Sequence, residues 1–460
     1  VAVAQHYGFT GIEAVDVASE IGDIVAEKYA DVEVNPYTHG DTERVLLDGR
    51  AAILHSDHDY DVIQMVHANL HSSAGQVSNA WSPALLETEE AFELYLSKLT
   101  PDGTLSFGRG PKTKYLVHAC VAAMEALGIE HPEGKIVWVQ GPASVFLAKT
   151  RDWTPEEVAR IAELIKARKG QYIYYDPTKP DHGKWKGALK TALLTDDRPY
   201  LESGHDAWIS LGEALAHFVG LGAEEVQAAT IVYHALVLQA LYTVVIGGIC
   251  VIVPMFLRGR ELAGIRGVAP GLLYVACLGY GYLAVETVLL HQLVLFVGHP
   301  TYAITVVILA MLLFSGIGSM LVERIPEASH ARALTLALIA VVVLGAIQGF
   351  VVPPILSATA LGLPIAVRAG IVVLVLAPLG LVMGLPFPLA MRLLRPEAAG
   401  LVPWAWAVNG WLSVTASMGT VILSRIAGYH VAFVVALLAY VAAALLAPSI
   451  PRIGRTTAES

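Results

Sequence analysis

Cysteine is scarce in this sequence: Cys120, Cys250 and Cys277 are the only three in 460 residues, and they stand far apart. That excludes a disulfide framework, and no C-x-x-C spacing is present to hold a metal. Charge is scarce as well, at 15% of residues, and its absence is local. From residue 228 onward there is no lysine and no aspartate, only 11 Arg and 6 Glu. Residues 1–227 hold the other 19 basic and 34 acidic side chains, so a net charge of −15 is followed by one of +5. No basic face or cluster exists, which excludes a nucleic-acid partner. An acidic water-facing part is joined to a part built for lipid.

What fills the second part is hydrocarbon. Crossing a core of about 30 Å takes roughly 20 apolar residues. Seven runs of that kind are read at 229–257, 269–290, 301–322, 333–355, 366–390, 402–424 and 430–448. Pro386 and Pro388 are expected to kink or end the fifth. The small residues of "FSGIGSM" (Ser315, Gly316, Gly318, Ser319) are expected to let helices approach closely. Arg258, Arg260, Arg266, Arg324, Arg332, Arg392, Arg395, Arg452 and Arg455 follow odd-numbered runs, whereas loops after even-numbered runs hold essentially Arg425 alone. By the positive-inside bias the odd loops are cytoplasmic, which puts the acidic part on the extracytoplasmic side. The partner of the second part is therefore the lipid bilayer, and the reading is a multi-pass protein of a bacterial inner membrane.

In the first part the period changes. "GIEAVDV" (11–17), "RVLL" (44–47) and "YDVIQMV" (60–66) read as short buried strands. Helices are expected through "SEIGDIVAEKYA", "ETEEAFELYLSKL" and the capped "TPEEVARIAELIKARKG"; "TPDGTLSFGRG" turns into a fourth strand, and "KIVWVQG" and "SVFLAKT" form a terminal pair. Alternation of buried strands with helices predicts a doubly wound α/β sheet. Such a sheet binds nucleotides beyond the carboxyl ends of its strands. Asp16 ends the first strand, where an acid can hold ribose hydroxyls, and Asp48 with Gly49 follows the second, where an acid can take an adenine amino group.

"IEAVDV…VLLDGRAAIL…YDVIQM…EAFELYLSKLTPDGTL" resembles class I S-adenosylmethionine-dependent methyltransferases, and more narrowly their spermidine-synthase-like group. "TDDRPY" (195–200), "LGYGYLAVETVLLHQLVLFVGHPTYAITVV", "GLPFPLAMRLL" and "VPWAWAVNGWLSV" resemble multi-pass bacterial proteins in which such a domain is fused to membrane helices. The resemblance implies a Rossmann-like, methyltransferase-type domain at 1–203, an amphipathic linker at 204–227, an all-α polytopic membrane domain at 228–450 and a polar tail at 451–460. It implies S-adenosylmethionine as cofactor. It also implies a first strand and Gly-rich loop that would precede "VAVAQHYG", supplied by a longer chain or by a partner chain. True aminopropyltransferases carry an acidic pair after the third strand read here. This chain has His67, Asn69 and His71 there, so spermidine synthesis proper is not expected. His67 and Asn69 are the candidates to face the acceptor, a neutral His serving as base near pH 7.

The remaining polar residues divide into two groups. His55, His58, His67 and His71, with Asp57 and Asp59, are read as solvated loop residues, and no metal site is expected. Tyr172, Tyr174 and Tyr175 are read as packing residues. Glu286, His291, His299 and Asn409 lie in apolar runs, where a charge is expensive and marks either an interhelical anchor or a pathway. Glu286 is expected to find its partner among His291, His299, Asn409 and the tryptophans of "VPWAWAVNGW". Two functions are consistent with these features. One is a membrane-anchored, S-adenosylmethionine-binding transferase; the other is a non-catalytic membrane subunit or transporter-like protein with a degenerate docking domain.

Overall fold

The computed structural model describes residues 1–16, 19–29, 42–66, 84–109, 112–141, 144–166, 168–179, 181–200, 212, 215–216, 231–258, 262, 265–298, 300–361 and 363–453. The chain forms two compact units, divided between Leu201 and Glu202.

The first unit runs α1 (Ala2–His6), β1 (Glu13–Val15), α2 (Ser19–Lys28), β2 (Glu43–Val45), α3 (Gly49–His55), β3 (Tyr60–Val66) and α4 (Glu89–Ser97). It continues through β4 (Leu99–Gly108), α5 (Thr113–Ala126), β5 (Ile136–Gln140), β6 (Val145–Ala148), α6 (Pro155–Lys166), β7 (Tyr172–Tyr175) and α7 (His182–Ala188). β1 and β2 pair in parallel, with Val15 opposite Val45. The other strands form one sheet in the order β3-β4-β6-β5-β7. Only β3–β4 is parallel there; β4–β6, β5–β6 and β5–β7 are antiparallel. The sheet is therefore mixed rather than wholly parallel as expected. The reason is the short link between Gln140 and Val145, which can close a hairpin but not a crossover.

The core of this unit is aromatic. Phe92 on α4 lies 5.0 Å from the Phe107 ring on β4 and 5.9 Å from Phe146 on β6, and Tyr95 stacks on Phe107 at 5.5 Å. Cys120 on α5 is wholly buried in the same cluster. Burial pushes its thiol far up, so it is no handle for an aqueous thiol reagent. α6 begins with the expected cap, a reciprocal pair in which Thr154 N–H donates to Glu157 Oε2 at 2.9 Å and Glu157 N–H to Thr154 Oγ1 at 3.2 Å. "QYIYYDP" forms edge strand β7, whose Tyr174 and Tyr175 rings pack 4.5 Å from Trp138 and 5.0 Å from Trp185.

The second unit comprises α8 (Ile231–Leu257), α9 (Val268–Val297), α10 (Pro300–Leu321), α11 (His330–Phe350), α12 (Val352–Thr359), α13 (Ile365–Met383), α14 (Pro386–Leu393), α15 (Val402–Ala427) and α16 (Tyr429–Leu446). Six helical stretches are long and apolar enough to cross a membrane, which makes this a multi-pass integral membrane protein. The run expected at 402–424 is helical, as α15, but it is not among the six, since tryptophan, Asn409 and serines dilute its hydropathy. The fifth span ends as expected near Pro386, which opens α14.

α9 is buried on most of its circumference, with α10, α15 and α16 against it. α10 and α13 meet through glycine: a Cβ at Gly318 would collide with the Leu381 carbonyl, and one at Gly384 with the Ser315 carbonyl. Gly316, two residues from Gly318, has open space instead. Gly318→Val is expected to destabilise the unit by about 1–3 kcal/mol, the usual range for overpacking. Gly316→Ala should leave its thermal unfolding in detergent unchanged, and equal effects of the two would contradict this packing.

Candidate functional site

The carboxyl edge of the parallel strands is where the sequence-level candidates meet the structure. Asp16 follows β1 directly, and its N–H donates to the Val45 carbonyl at 3.1 Å, holding it against the end of β2. Asp48, three residues past Val45, is the N-cap of α3: its Oδ1 accepts from the N–H groups of Arg50 at 3.0 Å and Ala51 at 3.3 Å. Two acids thus stand at one edge of one parallel pair, and Asp48 is already engaged in ordering a helix. Gly49 takes the first turn of α3, where a Cβ would meet Leu86 at an ordinary 3.6 Å. His67, Asn69 and His71 lie outside the described residues.

Beside Asp48 sits a charged cluster that sequence reading missed. Arg50 forks onto Asp196, Nη1 to Oδ1 at 2.7 Å and Nη2 to Oδ2 at 2.9 Å, a bidentate geometry that fixes both groups. Thr88 Oγ1 donates to the same Oδ1 at 2.7 Å, and the Asp196 N–H donates to Glu90 Oε2 at 2.9 Å. Glu87, buried, pairs with Arg109, which follows β4. Asp196 is the first acid of "TDDRPY"; the available signal was that a half-buried acid in such a turn needs a cation, and Arg50 lies in "LLDGR".

Burial, with the neighbouring Asp196 carboxylate adding to it, raises the Glu90 carboxyl from its ordinary range to about 7, against an opposing pull from Arg50. A carboxyl that holds its proton more tightly folded than unfolded contributes stability that is complete below its ordinary range and is lost as pH rises through about 7. Glu90→Gln removes that loss while keeping an oxygen for the Asp196 N–H. The variant should gain on the order of 1 kcal/mol relative to wild type between about pH 5 and about pH 8, after discounting for solvent screening. Urea unfolding of the full chain at the two pH values measures this, and parallel pH dependence in both proteins would contradict it.

The other histidines on this side have local roles. His55 Nδ1 lies 2.6 Å from the Ala51 carbonyl, and His58, exposed, lies 3.2 Å from Glu13. Among the described residues no group of three His, Cys, Asp or Glu side chains is arranged to hold a metal ion.

Within the membrane unit the polar residues are not one cluster. Asn409 on α15 donates through Nδ2 to the Val275 carbonyl of α9 at 3.0 Å, and Ser413 donates to the Gly279 carbonyl at 3.1 Å. His291 Nδ1 lies 2.7 Å from the Thr287 carbonyl and its ring lies 5.7 Å from Tyr429. Gln292 donates to the Gly349 carbonyl at 3.4 Å. His299 lies outside the described residues. Glu286 is 7% exposed and, among the described residues, makes no hydrogen bond or ion pair; His291 and Asn409, the expected partners, are turned to backbone carbonyls instead. A groove of about 860 Å³ opens between α8 and α15, lined by Gln239, Thr243, Cys250, Trp406, Trp411 and apolar neighbours. It touches neither Glu286 nor the acids of the α/β unit.

No family model matches the chain, and no curated protein matches it.

Proposed function

We propose that this chain is a membrane-anchored transferase module of the spermidine-synthase-like kind, binding S-adenosylmethionine or a related nucleoside and acting on a small amine or membrane-associated acceptor. The observation that carries the reading is the pairing of β1 with β2, which sets Asp16 and Asp48 at one carboxyl edge, the acids suited to ribose hydroxyls and to an adenine amino group. The cofactor would supply an already activated sulfonium carbon, so the chain's own residues need mainly bind and orient. The acceptor's electron pair forms the new bond to carbon as the carbon–sulfur bond breaks toward sulfur, and the acceptor's proton passes to a base, for which His67 is the candidate. Among the described residues β1 pairs only with β2 and β3 only with β4 on their respective sheets, so a further strand from a longer chain or a partner has an edge to join.

The membrane topology belongs to the same proposal. At 1.5 Å per residue the 26 residues of α15 reach about 39 Å, enough to cross a core of about 30 Å. Counted as a seventh crossing, it keeps the arginine-rich loops on the cytoplasmic side of a bacterial inner membrane and the α/β unit on the other. A second reading, a transporter-like or subunit role with the α/β unit as a docking module, is favoured by one observation, the unpartnered Glu286.

The test is titration calorimetry of S-adenosylmethionine into the full-length protein purified in detergent, with Asp16→Asn and Asp48→Asn as comparisons. Asparagine keeps the cap of α3 while removing the carboxylate, which alanine would not do. Micromolar binding weakened at least about tenfold, or about 1.4 kcal/mol, by each substitution is expected. Absence of heat from folded wild-type protein overturns the transferase reading.

A further inference from the structure

The titratable group that the proposed chemistry leaves unused is Glu286. It lies on α9, roughly 16 Å short of Val297 at 1.5 Å per residue and farther still from Val268, so it is well inside a span. Its side chain is enclosed, and no hydrogen bond or ion pair reaches it among the described residues. A carboxylate in such surroundings requires a counter-charge.

The helices packed on α9 do not provide one. α10 carries Tyr302 alone, exposed at the helix end. On α11, His330 is 3.0 Å from the Ile325 carbonyl, and Arg332 is exposed. On α13, Arg368 donates to the Phe296 carbonyl at 3.0 Å; on α14, Arg392 lies 3.8 Å from Glu323. α15 carries Arg425 in its last turn. On α16, Tyr429 faces the His291 ring, His430 stacks on Phe350 at 5.3 Å, and Tyr440 is buried beside Gly281. On α9 itself, Tyr274 donates to the Pro386 carbonyl at 3.1 Å, and Cys277 and Tyr280 lie two turns or so before Glu286. Tyr282, one turn before Glu286 on the same face, shares a hydrogen bond of 3.1 Å with Ser315 of α10.

The balancing charge therefore comes from a ligand. The groove between α8 and α15 does not include Glu286 in its lining, so the cation that fits an enclosed carboxyl without a cavity is the smallest. We propose that Glu286 is a proton-binding site inside the membrane unit, taking up and releasing a proton within the bundle, with the Tyr282–Ser315 hydroxyl pair as its nearest exchangeable neighbours. This inference is independent of the transferase reading, and its test uses no nucleoside.

The test treats the full-length protein in detergent with dicyclohexylcarbodiimide, which attacks carboxylic acids in apolar surroundings, and locates the adduct by peptide mass spectrometry. One adduct at Glu286 is expected, absent in Glu286→Gln and retained in Glu286→Asp, with a labelling rate that falls at least about tenfold as pH is raised across the neutral range. Sodium, potassium or spermidine at fixed pH should leave the rate unchanged. Three results would overturn the proposal: no adduct in folded wild-type protein, labelling indifferent to pH, or protection by one of those cations, which would make the site a cation site instead. Should Glu286→Gln fail to fold, the wild-type pH profile and the cation competition decide the matter alone.

Discussion

Helices in hydrocarbon gain nothing by hiding apolar surface from one another, so the membrane unit depends on how closely its backbones approach. α9 is the axis of that arrangement. Gly279 lets the Asn409 backbone of α15 come so near that a Cβ would collide with it, and at that contact Asn409 and Ser413 donate to α9 carbonyls. Gly281 makes the same allowance for the Tyr440 ring, and Gly345 and Gly349 of α11 do so for Leu437 and Phe433 of α16. The enclosure of Glu286 follows from this packing, since a helix held so tightly on several sides leaves its inward side chains no route to lipid headgroups.

The α/β unit rests on a different force. Its sheet encloses a ring cluster around Phe92, Phe107 and Phe146, where area removed from water dominates. Its charges lie at the margin of that core. The Arg50–Asp196 fork joins α3 to the turn at 195–200, while the Glu89 N–H donates to the Leu194 carbonyl at 2.8 Å and the Ala84 N–H to the Pro199 carbonyl at 2.6 Å. The last described stretch of this unit is thereby stitched back onto α4, next to the helix that Asp48 caps.

Periodicity made most of this legible. Runs of 20 or more apolar residues can do little but form spans, and each strand read in the first part is present, because a buried strand between polar breaks has few alternatives. Strand direction was not legible, since buried parallel and antiparallel strands share one composition; it was the length of the link from Gln140 to Val145 that decided it. The Arg50–Asp196–Glu90 cluster was illegible for another reason: its members are 146 and 106 residues apart in pairs, and no local pattern reports a fork of that span. Asp16 and Asp48 were found because topology, rather than distance along the chain, predicts what stands at the end of a strand.

The membrane unit also shows what a settled buried charge looks like. Arg368, 2% exposed, donates to the Phe296 carbonyl in the last turn of α9, where carbonyls have no helical partner and the helix dipole favours a cation. Gly298 completes the arrangement: its φ of +80° ends the helix, and a Cβ there would lie 3.0 Å from the guanidinium. Every element of that site answers the charge. Nothing comparable surrounds Glu286, though it sits on the same helix in the same packing. A bundle able to build the first site and leaving the second unanswered is better explained by a charge that comes and goes than by one held for structure.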